Sequence, residues 1–190
     1  MQIIHVDHGL MPFDLYDYQE EMVQTMHENR FVICKMPRQT GKSTTIVAYL
    51  LHFALFNPQS NIAILANKGS TSREILQRLK TAYEHLPKWL QQGVVVWNRG
   101  NIELENGSKV ISASTSSSAV RGSSFNIIFM DEFAHIDPPK LAEDFFTSVY
   151  PTISSGKTTK VFIVSTPKGL NMFYKMWIDC VEGRNDYVPI

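Results

Sequence analysis

The sequence predicts an α/β protein with a mainly parallel central sheet flanked by helices on both faces. Two observations carry this expectation. Short runs that stay apolar along most of their length, Phe31 to Cys34, Ile62 to Ala66, Asn126 to Met130 and Val161 to Val164, alternate with segments of helical period. A strand without polar alternation is one that is covered on both sides, as in a parallel sheet with crossover helices. In addition, the turn Gly41-Lys42-Ser43 stands between the first of these runs and a long helical segment, and a strand–turn–helix unit is the building block of such sheets.

The elements follow in chain order. Residues 1–14 are of mixed polarity and contain Pro12, and they read as a leader before a domain covering 15–190. Met22, Val23 and Met26 give Tyr16 to Asn29 the spacing of a helix. The strand Phe31 to Cys34 leads through the glycine turn into a helix from Ser43 to Phe56, which Asn57-Pro58 ends. After the strand Ile62 to Ala66, Thr71 and Glu74 form a capping-box pattern for a helix reaching about His85. Val94 to Trp97, Asn101 to Glu105 and Lys109 to Ile111 are short strands, the last two joined by the hairpin turn Asn106-Gly107. Ser112 to Ser118 reads as a loop. The strand Asn126 to Met130 ends on Asp131-Glu132, Pro138 to Val149 is a helix with proline in its first turn, and Leu170 to Val181 is a helix after the strand Val161 to Val164. A further apolar strand begins at Tyr187 to Ile190.

Composition narrows the function classes. Lys plus Arg and Asp plus Glu are 18 each, so bulk charge draws the chain toward neither nucleic acid nor an anionic membrane. Any DNA contact must come from a local patch. Cys34 and Cys180 fall on apolar positions and show neither zinc spacing nor a disulfide framework, which fits a reducing cytoplasm. No apolar run has the length of a membrane span, and no signal peptide opens the chain.

The chemistry sits in two motifs. In Pro37-Arg38-Gln39-Thr40-Gly41-Lys42-Ser43, Gly41 lets backbone N–H groups close around phosphate oxygens at a helix N-terminus. Lys42 would reach the β- and γ-phosphates of ATP, and the Ser43 hydroxyl would coordinate Mg²⁺, with Gln39, Thr40 and Thr44 completing the cradle. Met36 stands where the usual pattern has its first glycine. About ninety residues on, Asp131 at a strand end can hold the Mg²⁺ shell, and Glu132 can polarise the attacking water. A carboxylate there makes hydrolysis, not binding alone, the favoured expectation.

With these motifs in place the chain resembles the ATPase of tailed-phage large terminases, the T-even type in particular. Tyr16-Asp17-Tyr18-Gln19 resembles the family's adenine-side glutamine motif, and Arg38 to Ser43 its variant Walker A, in which an arginine stands inside the loop and the first glycine is often missing. Leu65 to Ser70, Gly93 to Trp97, Ile102 to Ser108 and Ala119-Val120-Arg121-Gly122 follow in the family's order, and Ser165-Thr166-Pro167-Lys168-Gly169 resembles its coupling motif. The resemblance spans about Leu15 to Gly183. It implies a P-loop NTPase fold of the RecA-like kind, ATP hydrolysis driving double-stranded DNA into a procapsid, and a homo-oligomeric ring seated on a portal protein and served by a small terminase subunit. The place of action would be the host cell cytoplasm. It further implies that Gln19 reads adenine, that Arg38 or Arg121 acts as the arginine finger, and that Ser165, Thr166 and Pro167 couple hydrolysis to movement. The family's nuclease domain has no counterpart here, so the chain reads as a truncated product or a split gene.

Two other readings share the motifs: a superfamily 2 helicase-like DNA-dependent ATPase, and a regulator that binds ATP without hydrolysing it. His5-Val6-Asp7-His8 offers two imidazoles and a carboxylate but lacks further ligands for a metal. His135 stands one position too late for a helicase acidic box. Trp89 and Trp97 are expected in the core or an interface rather than as base-stacking platforms.

Overall fold

The apolar strands are covered on both faces because they form the middle of one sheet. A computed structural model describes residues 2–5, 9–115, 124–155 and 158–190. Its elements are β1 (Gln2–His5), β2 (Gly9–Pro12), α1 (Asp17–Glu28), β3 (Phe31–Lys35), α2 (Lys42–Phe56), β4 (Asn61–Ala66), α3 (Gly69–Glu84), β5 (Val94–Trp97), β6 (Asn101–Leu104), β7 (Lys109–Ser114), β8 (Ile127–Asp131), α4 (Lys140–Ser155), β9 (Lys160–Ser165), α5 (Met172–Val181) and β10 (Val188–Pro189). The main sheet has the order β10-β3-β9-β8-β4-β7-β6-β5. It is parallel from β10 to β7, and β6 and β5 are added antiparallel as a meander at one edge. The expected fold class is the one found.

Alternation along each strand splits the core in two. Val32, Cys34, Ile62, Ile64, Phe129, Phe162 and Val164 point to one face, where α1, α2 and α3 cover them with Met22, Met26, Ile46, Leu50, Leu76 and Leu79. Ile33, Ala63, Leu65, Ile128, Met130, Val161 and Ile163 point to the other, under Phe145 of α4 and Phe173 and Cys180 of α5. Both cysteines are buried, and burial pushes the Cys34 thiol up to about 12 and raises that of Cys180. Neither should react with a thiol-specific disulfide reagent at pH 8 in the folded chain, and both should react in denaturant. Rapid labelling of the native protein would contradict this packing.

Several details differ from expectation or add to it. Residues 1–14, read as a leader, hold β1 and β2, which pair antiparallel with Ile3 opposite Met11 and Ile4 opposite Leu10. Residues 6–8 of the His-Val-Asp-His segment lie outside the described residues. Ser112–Ser114, expected in a loop, continue β7 by pairing with Ile64–Ala66 of β4, so a buried ladder overrides weak strand propensity. Helix α3 starts at Gly69 behind Lys68 without a side-chain cap, and the Thr71–Glu74 capping box does not form. Helix α4 runs on to Ser155, past Val149 and through Pro151. Trp89 is 83% exposed and so is no core residue, while Trp97, also largely exposed, lies against Tyr83 and under the Lys80 ammonium.

Strand order positions the site. β9 lies between β3 and β8, with Lys35 opposite Ser165 and Val164 opposite Asp131. The phosphate turn leaves β3, the acidic pair leaves β8, and Ser165-Thr166 leaves β9 between them. All three come off the carboxyl ends of parallel strands, where ligands of open α/β sheets bind.

Candidate active site

The turn from β3 to α2 owes its shape to two residues in the left-handed backbone region, Gln39 (φ 63°) and Gly41 (φ 72°). At Gly41 a Cβ would stand 2.6 Å from Nε2 of Gln19, so the end of that amide would have to shift. Gly41→Ala therefore combines a left-handed backbone with a contact that must move, and should cost about 1–2 kcal/mol of stability in urea unfolding. An unchanged midpoint would mean that the turn adopts another shape.

Gln19 is itself 2% exposed and lies beneath the turn. Its Oε1 accepts from the Tyr16 N–H at 3.1 Å and its Nε2 donates to the Thr40 carbonyl at 3.2 Å, to which the Tyr18 hydroxyl also donates, at 2.9 Å. The amide thus ties the start of α1 to the phosphate turn and is spent on the chain. Thr40 likewise turns its hydroxyl back to the Pro37 carbonyl, at 3.1 Å.

Beside the turn opens a cleft of about 570 Å³, lined from α2 and its turn by Arg38, Gln39, Gly41, Lys42, Ser43 and Thr44. This size is within the range of small-molecule sites. Its far wall carries Glu132 and His135 after β8, Asn67 after β4, and Thr71 and Arg78 from α3. Lys42 and Glu132, ninety positions apart, meet there: Nζ stands 3.2 Å from Oε1, with the lysine side chain 8% exposed. Glu132 occupies the left-handed region (φ 52°), which a residue with a Cβ adopts only at a cost of roughly 1–2 kcal/mol. That conformation stops β8 and turns the carboxylate toward Lys42.

Thr166 completes the junction. Its hydroxyl donates to Glu132 Oε2 at 3.3 Å, and Ser165 Oγ accepts from the Ala134 N–H at 3.0 Å while donating to the Thr166 carbonyl at 2.9 Å. Ser165 is fully buried, and Pro167 follows on the surface.

Asp131 is 5% exposed, and its Oδ1 has no hydrogen-bond partner. Burial first, and then the neighbouring Glu132 charge, push its carboxyl up to about 6, against the pull of Lys42, a backbone hydrogen bond and Arg78. A buried carboxylate oxygen without a partner, next to the phosphate turn, suits a hard divalent cation, which takes one or two carboxylates and fills its shell with phosphate and water. Asp131 with the Ser43 hydroxyl is a donor set that fits Mg²⁺. Among the described residues no cluster of three or more His, Cys, Asp or Glu could hold a metal by itself.

Arg38, Gln39, Lys42, Ser43, Thr44 and Glu132 line one cleft, with Asp131 and Thr166 directly behind it; Gln19 and Thr40 support the turn, and Arg121 lies outside the described residues. Sequence reasoning did not find Asn67, Thr71 and Arg78 and set His135 aside. Thr71 and Arg78 are seven apart and share a face of α3, and Asn67 follows β4 as Glu132 follows β8. Those spacings were the available signal.

The fold is shared with solved large terminases. The HK97 bacteriophage large terminase superposes with a TM-score of 0.82 at 17% identity over 98% of this chain and 41% of that one. The large terminase ATPase domain of a Thermus phage gives 0.66 at 21% identity, over 87% of this chain and 70% of that one. The large terminase of a thermophilic bacteriophage, solved with ATP-γ-S, gives 0.70 at 14% identity over 94% and 44%. The chain thus spans less than half the length of the full terminases it resembles. No helix among the described residues is long and apolar enough to cross a membrane. At these identities the likeness establishes the fold, and the family rests on sequence: residues 33–190 match the model of the terminase large subunit, T4likevirus-type, N-terminal, and to that family this chain belongs.

Proposed function

We propose that this chain is the ATP-hydrolysing part of a viral DNA-packaging motor, coupling turnover to translocation of double-stranded DNA into a procapsid. The observation that carries the proposal is the meeting of Lys42, Glu132 and Thr166, from three parallel strand ends, at one cleft. Family membership favours the packaging motor over a superfamily 2 helicase, and a well-placed Glu132 is what a regulator that only binds ATP would not need.

In this reading ATP enters with its phosphates on the turn Arg38 to Ser43, and Lys42 exchanges Glu132 for the β- and γ-phosphates. Mg²⁺, held by Ser43 and Asp131, supplies charge neutralisation of the phosphate oxygens. Glu132, released from Lys42, orients water through Oε1. Arg38 stabilises charge on the transferring phosphoryl group, and Arg121 is the second candidate for that role. Gln19 supports the turn, and to read adenine its amide exchanges one of its two chain partners, the Tyr16 N–H or the Thr40 carbonyl, for the base. Ser165, Thr166 and Pro167 pass the change at Glu132 to the rest of the motor. Double-stranded DNA, a portal protein, a small terminase subunit and further copies of the chain in a ring are the partners, in the host cytoplasm.

Phosphate release from ATP should require Mg²⁺ and rise on addition of double-stranded DNA. A chain that binds ATP without releasing phosphate, in the presence of its motor partners as well, would return the regulator reading.

A further inference from the structure

We infer that His135 is a positioning residue for Glu132, acting through the Thr166 hydroxyl in a one-way hydrogen-bond chain. The inference rests on the hydrolysis reading above. His135 Nε2 lies 2.9 Å from Thr166 Oγ1 and 3.3 Å from Glu132 Oε2. Thr166 in turn donates to that same Oε2 at 3.3 Å. A hydroxyl has one proton, so once Thr166 gives it to Glu132 its oxygen can only accept from the imidazole. The nearby carboxylate also demands a proton on Nε2, because a bare ring nitrogen at 3.3 Å would face it lone pair to lone pair. The set closes in a single direction: Nε2–H of His135 to Oγ1 of Thr166, and O–H of Thr166 to Oε2 of Glu132.

The imidazole is held from its own backbone. The 3-10 turn Phe133–His135 is fixed by the Ala134 N–H donating to Ser165 Oγ at 3.0 Å, and by the Asn171 amide donating to the Ala134 carbonyl at 2.8 Å. Glu132 therefore has two unlike oxygens. Oε1 faces Lys42 at the cleft and is free to change partner, while Oε2 is anchored to β9 by Thr166 and His135. Anchoring one oxygen leaves the other with a fixed direction for orienting water, and a misplacement of about 1 Å in such a group costs up to about 100-fold in rate. A shift of Glu132 during turnover pulls on Thr166 through that hydroxyl.

The test compares His135→Ala and His135→Gln with the full chain as it stands, measuring kcat, KM, thermal midpoint and affinity for a fluorescent ATP analogue. The amide of glutamine can present an N–H near the position of Nε2. The expected result is a kcat loss of about 10- to 100-fold for His135→Ala, with analogue affinity within about twofold, and recovery of most of kcat in His135→Gln. Wild-type kcat in His135→Ala, or a glutamine variant as slow as the alanine one, overturns the inference. A direct readout needs no turnover: in the chain labelled with ¹⁵N-histidine, the His135 ring should show the Nε2–H tautomer, and its signals should move in Thr166→Val. An Nδ1–H tautomer, or signals indifferent to Thr166→Val, overturns it as well. Absence of wild-type hydrolysis would count against the ATPase reading, and the ring spectrum would still decide the hydrogen-bond chain.

Discussion

Replacing Glu132 by glutamine should lower ATP turnover by about 10²- to 10⁴-fold, the usual range for a lost general base or water-orienting carboxylate, and should leave ATP bound as tightly as before or more so. Glutamine keeps the length and shape of the side chain, and its amide carbonyl can still accept from Thr166, so the β8–β9 junction is preserved. What it loses is the charge at Oε1. That charge holds Lys42 at 3.2 Å, and the γ-phosphate must compete with it for the same ammonium. Removing the competitor favours nucleotide. A drop in affinity together with turnover would mean that the glutamate shapes the phosphate turn itself, and normal turnover would remove its catalytic role. Single-turnover phosphate release beside equilibrium binding of the ATP analogue separates these outcomes.

Much of this site was legible because it is local. Gly41 takes the left-handed backbone of a tight turn, a local property, and Asp131-Glu132 marks a strand end by interrupting an apolar run. Fold class followed from strands apolar on both faces. The parts that sequence could not give are those set by strand order. Nothing in the chain states that β9 inserts between β3 and β8, yet that insertion places Thr166 against Glu132 rather than merely nearby in the sheet. His135 was set aside because it fails the spacing of a known box. Its position is instead fixed by the left-handed Glu132, which turns the chain so that a residue three places on reaches back to the same carboxylate. Ser112–Ser114 were lost for the reverse reason, since a polar stretch reads as loop until a buried neighbour such as β4 supplies its ladder.

The same geometry gives the cleft two walls. The phosphate turn leaves β3 for α2, the acids come from β8, and Ser165-Thr166 touch both sides: the Ser165 carbonyl accepts from the Met36 N–H at 3.3 Å, Ser165 Oγ accepts from the Ala134 N–H, and the Thr166 hydroxyl donates to Glu132. The cleft therefore has two sides that meet at the Lys42–Glu132 pair. In the proposed reaction, ATP on one side would change the other by drawing Lys42 away from Glu132, the residue to which Thr166 is bonded.

Lys42→Ala tests that junction from the other side and should abolish productive binding. Charge-assisted contacts to phosphate are among the stronger hydrogen bonds, and losing one worth about 3 kcal/mol lowers affinity by more than 100-fold. The free chain changes too. Lys42 is nearly buried, and its loss leaves Glu132 beside Asp131, whose Oδ1 has no partner, with no cation at 3.2 Å, so the variant should also be less stable, by about 1–3 kcal/mol for a pair that keeps some solvent access. Those two effects come apart in the double variant Lys42→Ala with Glu132→Gln. Neutralising the orphaned carboxylate should restore most of the lost stability, measured by urea unfolding, while ATP affinity stays low because the phosphates still lack their ammonium. Recovery of affinity along with stability would show that Lys42 serves the fold and not the nucleotide, and unchanged affinity in the single variant would remove the phosphate-turn assignment altogether.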